Sequence, residues 1–96
     1  VAEFRLSRLA IADLAEIADY TIETFGIEQA RVYRDGLEAC FRALAANPNL
    51  GRRAERLAPM LKRYKHHSHE VFYLATNHEI LIVRILHERM DFGRYL

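Results

Sequence analysis

ILIVRIL, residues 80–86, places six apolar side chains and one arginine, Arg84, in seven positions. That length suits a strand, and the β-branched Ile and Val residues favour one. Apolar groups on both faces mark a central strand covered on both sides. A guanidinium in such a strand is costly unless it is paired. Arg84 therefore either meets a carboxylate or projects into a cleft towards an anion. Strict alternation puts it on the face of Ile80, Ile82 and Leu86, with His87 opposite beside Val83 and Ile85.

Working outward, this strand spans about 79–86. Thr76-Asn77-His78 reads as a hairpin loop leading back to a strand over 69–75. Before it, Lys62, Tyr64 and His66 alternate with Leu61, Arg63 and Lys65 in a period of two. NPNLGRRAERLAP, residues 47–59, reads as a basic loop punctuated by Gly51 and two prolines. At the other end, Phe4, Arg5 and Leu6 form a short strand, and Ser7 can N-cap a helix. Ala10, Leu14, Ile17, Ala18, Thr21 and Phe25 recur at helical spacing, with Asp13, Glu16, Asp19 and Glu23 on the expected solvated face. Gly26 supplies the stop.

A second helix starts near Ile27 or Glu28 and ends at Asn47-Pro48. Ala30, Tyr33, Leu37, Cys40, Phe41 and Leu44 form its apolar stripe. Gly36 costs this helix about 1 kcal/mol relative to Ala, which close approach of the first helix would offset. The expected architecture is β-α-α-β-β-β, an α+β fold in one domain, with an antiparallel helical hairpin packed on an antiparallel sheet. The hairpin covers one face of that sheet. The basic loop and the last ten residues are short for covering the other, so another chain is expected to cover part of it.

Charge is unevenly placed. Residues 1–51 hold five basic and eight acidic side chains, whereas residues 52–96 hold nine and five, and all five histidines. A basic second half points to an anionic or acidic partner. The single Cys40 excludes an intrachain disulfide framework and four-cysteine metal sites. With no basic-then-apolar leader and no apolar run long enough for a bilayer, a reducing, cytoplasmic setting is expected.

KHHSHEVFYL, residues 65–74, gathers His66, His67 and His69. Extended backbone would turn His67 and His69 to one face, but zinc needs a third protein ligand. None stands at fixed spacing, so the histidines read as the polar start of a strand, and no metal or cofactor is expected. Arg63, Lys65, Arg84, Arg89 and Arg94, with His87, Glu88 and Tyr95, form a set chemically sufficient for metal-free RNA cleavage, the cations stabilising phosphorane charge and His, Glu or Tyr moving protons. Basic strands on a solvated face are the plainer reading. Cys40 lies on a core stripe, where a thiol is inert.

FRLSRLAIADLAEI, NPNLGRR, HEVFYL and IVRILHERMD follow one another along nearly the whole chain. In these segments the sequence resembles the ParE family of bacterial type II toxins, within the RelE/ParE superfamily. The resemblance implies the same β-α-α-β-β-β fold and a non-catalytic inhibitor of DNA gyrase. It further implies a ParD-like ribbon-helix-helix antitoxin that forms a hetero-oligomer with the toxin and alone contacts operator DNA. Target-binding residues are then expected at Arg84, His87, Arg89, Asp91 and Arg94. The alternative within the superfamily is a RelE-like, ribosome-dependent mRNA endonuclease, with Arg84, His87, Arg89 and Tyr95 as its catalytic set.

Overall fold

The computed structural model describes residues 3–96. The chain runs β1 (Glu3–Leu6), α1 (Arg8–Phe25), α2 (Ile27–Ala46), a 3-10 turn (Pro48–Leu50), β2 (Arg52–Arg53), β3 (Lys62–His66), β4 (His69–Ala75), β5 (Glu79–His87) and α3 (Phe92–Tyr95). The helical hairpin on a sheet is therefore as expected. The sheet has five strands in the order β1-β5-β4-β3-β2. Two details go beyond the sequence reading. The β1–β5 pair is parallel, in a sheet otherwise antiparallel, because the hairpin carries the chain back across the sheet before β5 is reached. The basic loop also contributes β2, too short for a periodicity to reveal.

β5 is central, and it carries a bulge. Opposite it on β4, Phe72 faces Arg84 and Tyr73 faces Ile82, which leaves Val83 as an extra residue. An extra residue shifts the alternation of everything after it. Ile80, Ile82 and Ile85 consequently all join the helix-side core, whereas Val83 and Leu86 pack on the other side. The face assignment from strict alternation is corrected accordingly: Leu86 leaves the face of Ile80 and Ile82, and Val83 separates from Ile85. His87 pairs across from His69.

The helix-side core joins Leu37, Cys40, Phe41 and Leu44 of α2 and Ala10 of α1 to Val71, Tyr73, Ile80, Ile82 and Ile85. The opposite core joins Ala54 and Leu61 to Phe72 and Leu86, with Leu57, Met90, Phe92 and Leu96 packed against them. The loop and the C-terminal tail thus cover the second face themselves, where the sequence had suggested another chain. Burial raises the Cys40 thiol to about 11, so it stays protonated.

Two buried polar groups connect the layers. Glu70, 3% exposed, accepts from Arg63 Nε at 2.7 Å, and the Arg63 guanidinium lies 5.2 Å from the Phe92 ring centroid. Tyr73 is fully buried; its hydroxyl donates to Pro48 O (2.6 Å) and accepts from Gly51 N–H (2.9 Å). The chain between α2 and β2 is therefore tied to the middle of β4. A Cβ on Gly51 would collide with the Tyr73 hydroxyl and sit 2.8 Å from Arg63 O, so NPNLGRR needs its glycine for close approach.

Tyr73→Phe strands Pro48 O and Gly51 N–H, and a loss of ~1–3 kcal/mol in urea unfolding is expected. Gly51→Ala should cost at least as much. A stability equal to wild type for both would show that the tie contributes nothing.

Candidate functional site

β1 pairs with β5 only from Glu79 to Ile82. Beyond that point the edge of β5 carries backbone groups that no strand satisfies. α1 takes over. Ser7 N–H donates to Ile82 O (2.9 Å), and the Ser7 hydroxyl donates to Val83 O (2.7 Å) while accepting from Ala10 N–H (3.0 Å). The same serine caps the helix, as its sequence position suggested, and extends the sheet. Two turns on, Asp13 accepts from Ile85 N–H (2.9 Å), Arg84 Nε (2.9 Å) and Arg84 Nη2 (2.8 Å). This is a bidentate, charge-assisted pair with one backbone bond added. Arg84 Nη1 donates to Tyr95 O (3.0 Å), and its guanidinium lies 5.7 Å from the Tyr95 ring centroid.

Arg84 therefore meets a carboxylate. The hydrogen bonds it donates to Asp13 raise its pKa above the usual guanidinium value. Asp13 was expected on the solvated face of α1 but is 7% exposed. Its position three residues after the buried Ala10 puts it on the apolar stripe. Together with an arginine in need of an anion, that spacing was the available signal.

A second polar cluster lies where α2 meets the ends of β3, β4 and β5. His66 and His69 face each other as the closing pair of a tight hairpin, with His67 in its turn at φ 53°. His67 and His69 thus do not share a face of one extended strand. The Tyr33 hydroxyl bridges His69 Nδ1 (2.5 Å) and His66 O (3.3 Å). His69 and His87 rings meet edge to face at 5.4 Å. His66 packs against Gly36, where a Cβ would stand 3.3 Å from its Nε2. Gly36 accordingly makes room for an imidazole, and not for α1 as the sequence reading proposed. Burial, followed by the neighbouring His87, lowers the His69 pKa to about 4. His66 is also lowered, first by burial and then by His67. Among the described residues, no group of three or more His, Cys, Asp or Glu is arranged to hold a metal ion.

An open groove of about 970 Å³ joins the two clusters, running from Leu9, Tyr20 and Phe25 on α1 to His69, His87 and Tyr95. Leu9, Tyr20 and Phe25 are 56%, 64% and 65% exposed, so its helical wall is an apolar surface left in solvent. Of the residues singled out in the sequence, Arg84, His87 and Tyr95 line this groove; Arg89, Asp91 and Arg94 do not. His87 Nδ1 accepts from Arg89 N–H (3.1 Å), and Arg89, Asp91 and Arg94 are exposed on the tail. Asp13, Tyr33 and His69 line the groove as well, although periodicity gave them other roles.

These features define a small α+β domain with a helical hairpin on a five-stranded sheet and an open groove along one flank. Residues 4–92 match the family described as the ParE toxin of the type II toxin-antitoxin system parDE. The chain belongs to that family of toxins. It is 36% identical over 96 residues to Toxin ParE1 of Mycobacterium tuberculosis, covering 99% of this chain and 98% of that one. It is also 37% identical over 93 residues to Toxin ParE1 of Caulobacter vibrioides, covering 97% and 96%. Toxin ParE of Escherichia coli is 39% identical over 87 residues, covering 90% and 84%. A solved structure titled "Chromosomal ParDE TA system from P. aeruginosa" shares the fold, with a TM-score of 0.77 at 22% identity over 90% of this chain and 95% of that one. No helix among the described residues is long and apolar enough to cross a membrane.

Asp13→Ala leaves the Arg84 charge without its partner in a largely buried setting, and a loss of ~3–5 kcal/mol in chemical denaturation is expected. Arg84→Met combined with Asp13→Leu should cost clearly less than the sum of the two single changes.

The histidines give a pH dependence. The folded-state pKa of His69 lies below its unfolded value of 6.5. The unfolded chain therefore binds more protons between these values, and stability falls as pH drops from about 6.5 towards 4. His69→Gln should flatten that part of a melting-temperature profile. An unchanged profile would remove His69 from the account.

Proposed function

We propose that this protein is the toxin of a toxin–antitoxin pair. In this reading it inhibits DNA gyrase in the cytoplasm as a stoichiometric protein inhibitor, not a catalyst. A ParD-like ribbon-helix-helix antitoxin neutralises it by laying an amphipathic segment into the groove beside the helical hairpin. The complex is a hetero-oligomer, and the antitoxin reads the operator. The observation that carries the reading is the nearly full-length match to the ParE toxin family and its curated members.

The geometry supports it at two points. The groove offers exposed Leu9, Tyr20 and Phe25 to a partner that folds on binding. Arg84, one of the four residues named for RNA cleavage, has its charge taken up by Asp13 and donates a further N–H to Tyr95 O. Arg84 then serves to hold the tail in place, and the exposed Arg89, Asp91 and Arg94 of that tail are the residues free to meet the target.

The test is a purified gyrase supercoiling assay. Inhibition is expected at near-stoichiometric toxin, and Arg89→Ala with Arg94→Ala should weaken it by ~10-fold, about 1.4 kcal/mol. Intact supercoiling at saturating toxin, together with cut mRNA on programmed ribosomes, would replace this reading with that of a RelE-like nuclease.

A further inference from the structure

The NPNLGRR segment and the strand it feeds have no role in the reading above. β2 is an edge strand, and among the described residues it pairs with β3 alone. In that pair Arg52 faces Arg63 and Arg53 faces Lys62. Two consecutive cross-strand pairs of like charge are unfavourable, since directly opposed side chains lie about 5 Å apart at Cβ. Glu70 relieves one of the four cations by binding Arg63 at 2.7 Å. Arg53 has only the exposed Glu55, at 3.8 Å. Among the described residues no carboxylate lies within 4.0 Å of Arg52, Arg56 or Lys62.

The edge is also held firmly in place. Gly51, immediately before Arg52, is fixed by the buried Tyr73 hydroxyl, and Ala54, immediately after Arg53, donates to Leu61 O at 2.8 Å. The two residues of β2 project to opposite faces of the sheet. Cations therefore stand on both sides of one tethered edge.

We infer that the β2–β3 edge, through Arg52, Arg53 and Lys62, is a binding strip for the phosphodiester backbone of duplex DNA. A concentration of cations that has only the exposed Glu55 as an internal anion is relieved by an external one. An acidic peptide fits less well: β2 offers an incoming strand a ladder of only two residues, so a peptide would bind by charge alone. A phosphate backbone needs nothing but charge, and guanidinium forks suit it. The strip gives the toxin a contact to DNA of its own, in departure from the expectation that only the antitoxin touches DNA.

The experiment titrates the full chain into a short fluorescent duplex of arbitrary sequence across a range of salt, with no gyrase and no antitoxin present. Binding should be independent of sequence and fall with salt at a slope of roughly −3 in log–log form, as for three to four phosphates. Arg52→Gln, Arg53→Gln and Lys62→Gln together should weaken low-salt binding at least ~10-fold and remove most of that slope, about one unit per cation. Arg52→Lys with Arg53→Lys should retain both. If the triple variant does not fold, each single Gln change should still lower the slope by about one.

Equal binding by wild type and the folded triple variant would overturn the inference. So would salt-independent binding, or a poly-glutamate competitor as effective as DNA charge for charge. A failure here leaves the toxin reading standing, and intact supercoiling in the gyrase assay would leave this result unaffected.

Discussion

The contact on which the rest of the molecule depends is the one Asp13 makes with Arg84 and Ile85. β5 is longer than its parallel neighbour, so beyond Ile82 one edge of it is without a strand partner in the middle of the protein. A helix cannot extend a sheet with its own backbone, because its N–H and C=O groups are already committed. It can do so with side chains, and α1 uses Ser7 and Asp13. The carboxylate satisfies one backbone N–H and one guanidinium together, which makes both the buried acid and the strand arginine tolerable. Arg84 then reaches Tyr95 O, so the same contact fixes where the tail leaves the sheet.

The bulge at Val83 belongs to this arrangement. It moves the alternation of β5 by one residue at the point where β1 stops and Ser7 and Asp13 begin. Before the bulge, Ile80 and Ile82 serve the helix-side core; after it, Ile85 does so again while Leu86 serves the other. A sheet covered on both faces by so short a chain needs every segment, and the loop before β3 and the tail after β5 supply the second cover. Glu70 with Arg63, and Tyr73 with the 47–51 turn, hold that loop to the sheet.

Charge follows the layers. The acidic first half of the chain forms the helical hairpin, and the basic second half forms most of the sheet. The two surfaces therefore suit different partners: an apolar groove against the hairpin for a segment that folds on binding, and a cationic edge at the far side of the sheet for an anion. Because β2 lies at the opposite edge of the sheet from β1, one occupant need not displace the other.

Much of this was written in local pattern. Periodicity located α1, α2, β4 and β5, Ser7 and Gly26 marked a helix start and stop, and ILIVRIL announced a strand covered on both faces. The same pattern showed that Arg84 needed an anion, because a guanidinium among apolar neighbours states its own requirement. It hinted at Asp13 only through the spacing from Ala10, since a carboxylate on the margin of a helical stripe looks solvated until the helix is docked. It could not show that Gly36 accommodates His66, that Val83 breaks the alternation of β5, or that two arginines in a loop pair with β3. Those facts depend on which residues come within a few ångströms of each other across 9 to 72 positions of chain. The sequence by itself determined the elements and the needs of their side chains; only the tertiary structure decided the partners, because burial and hydrogen bonding across elements are set by packing and not by spacing along the chain.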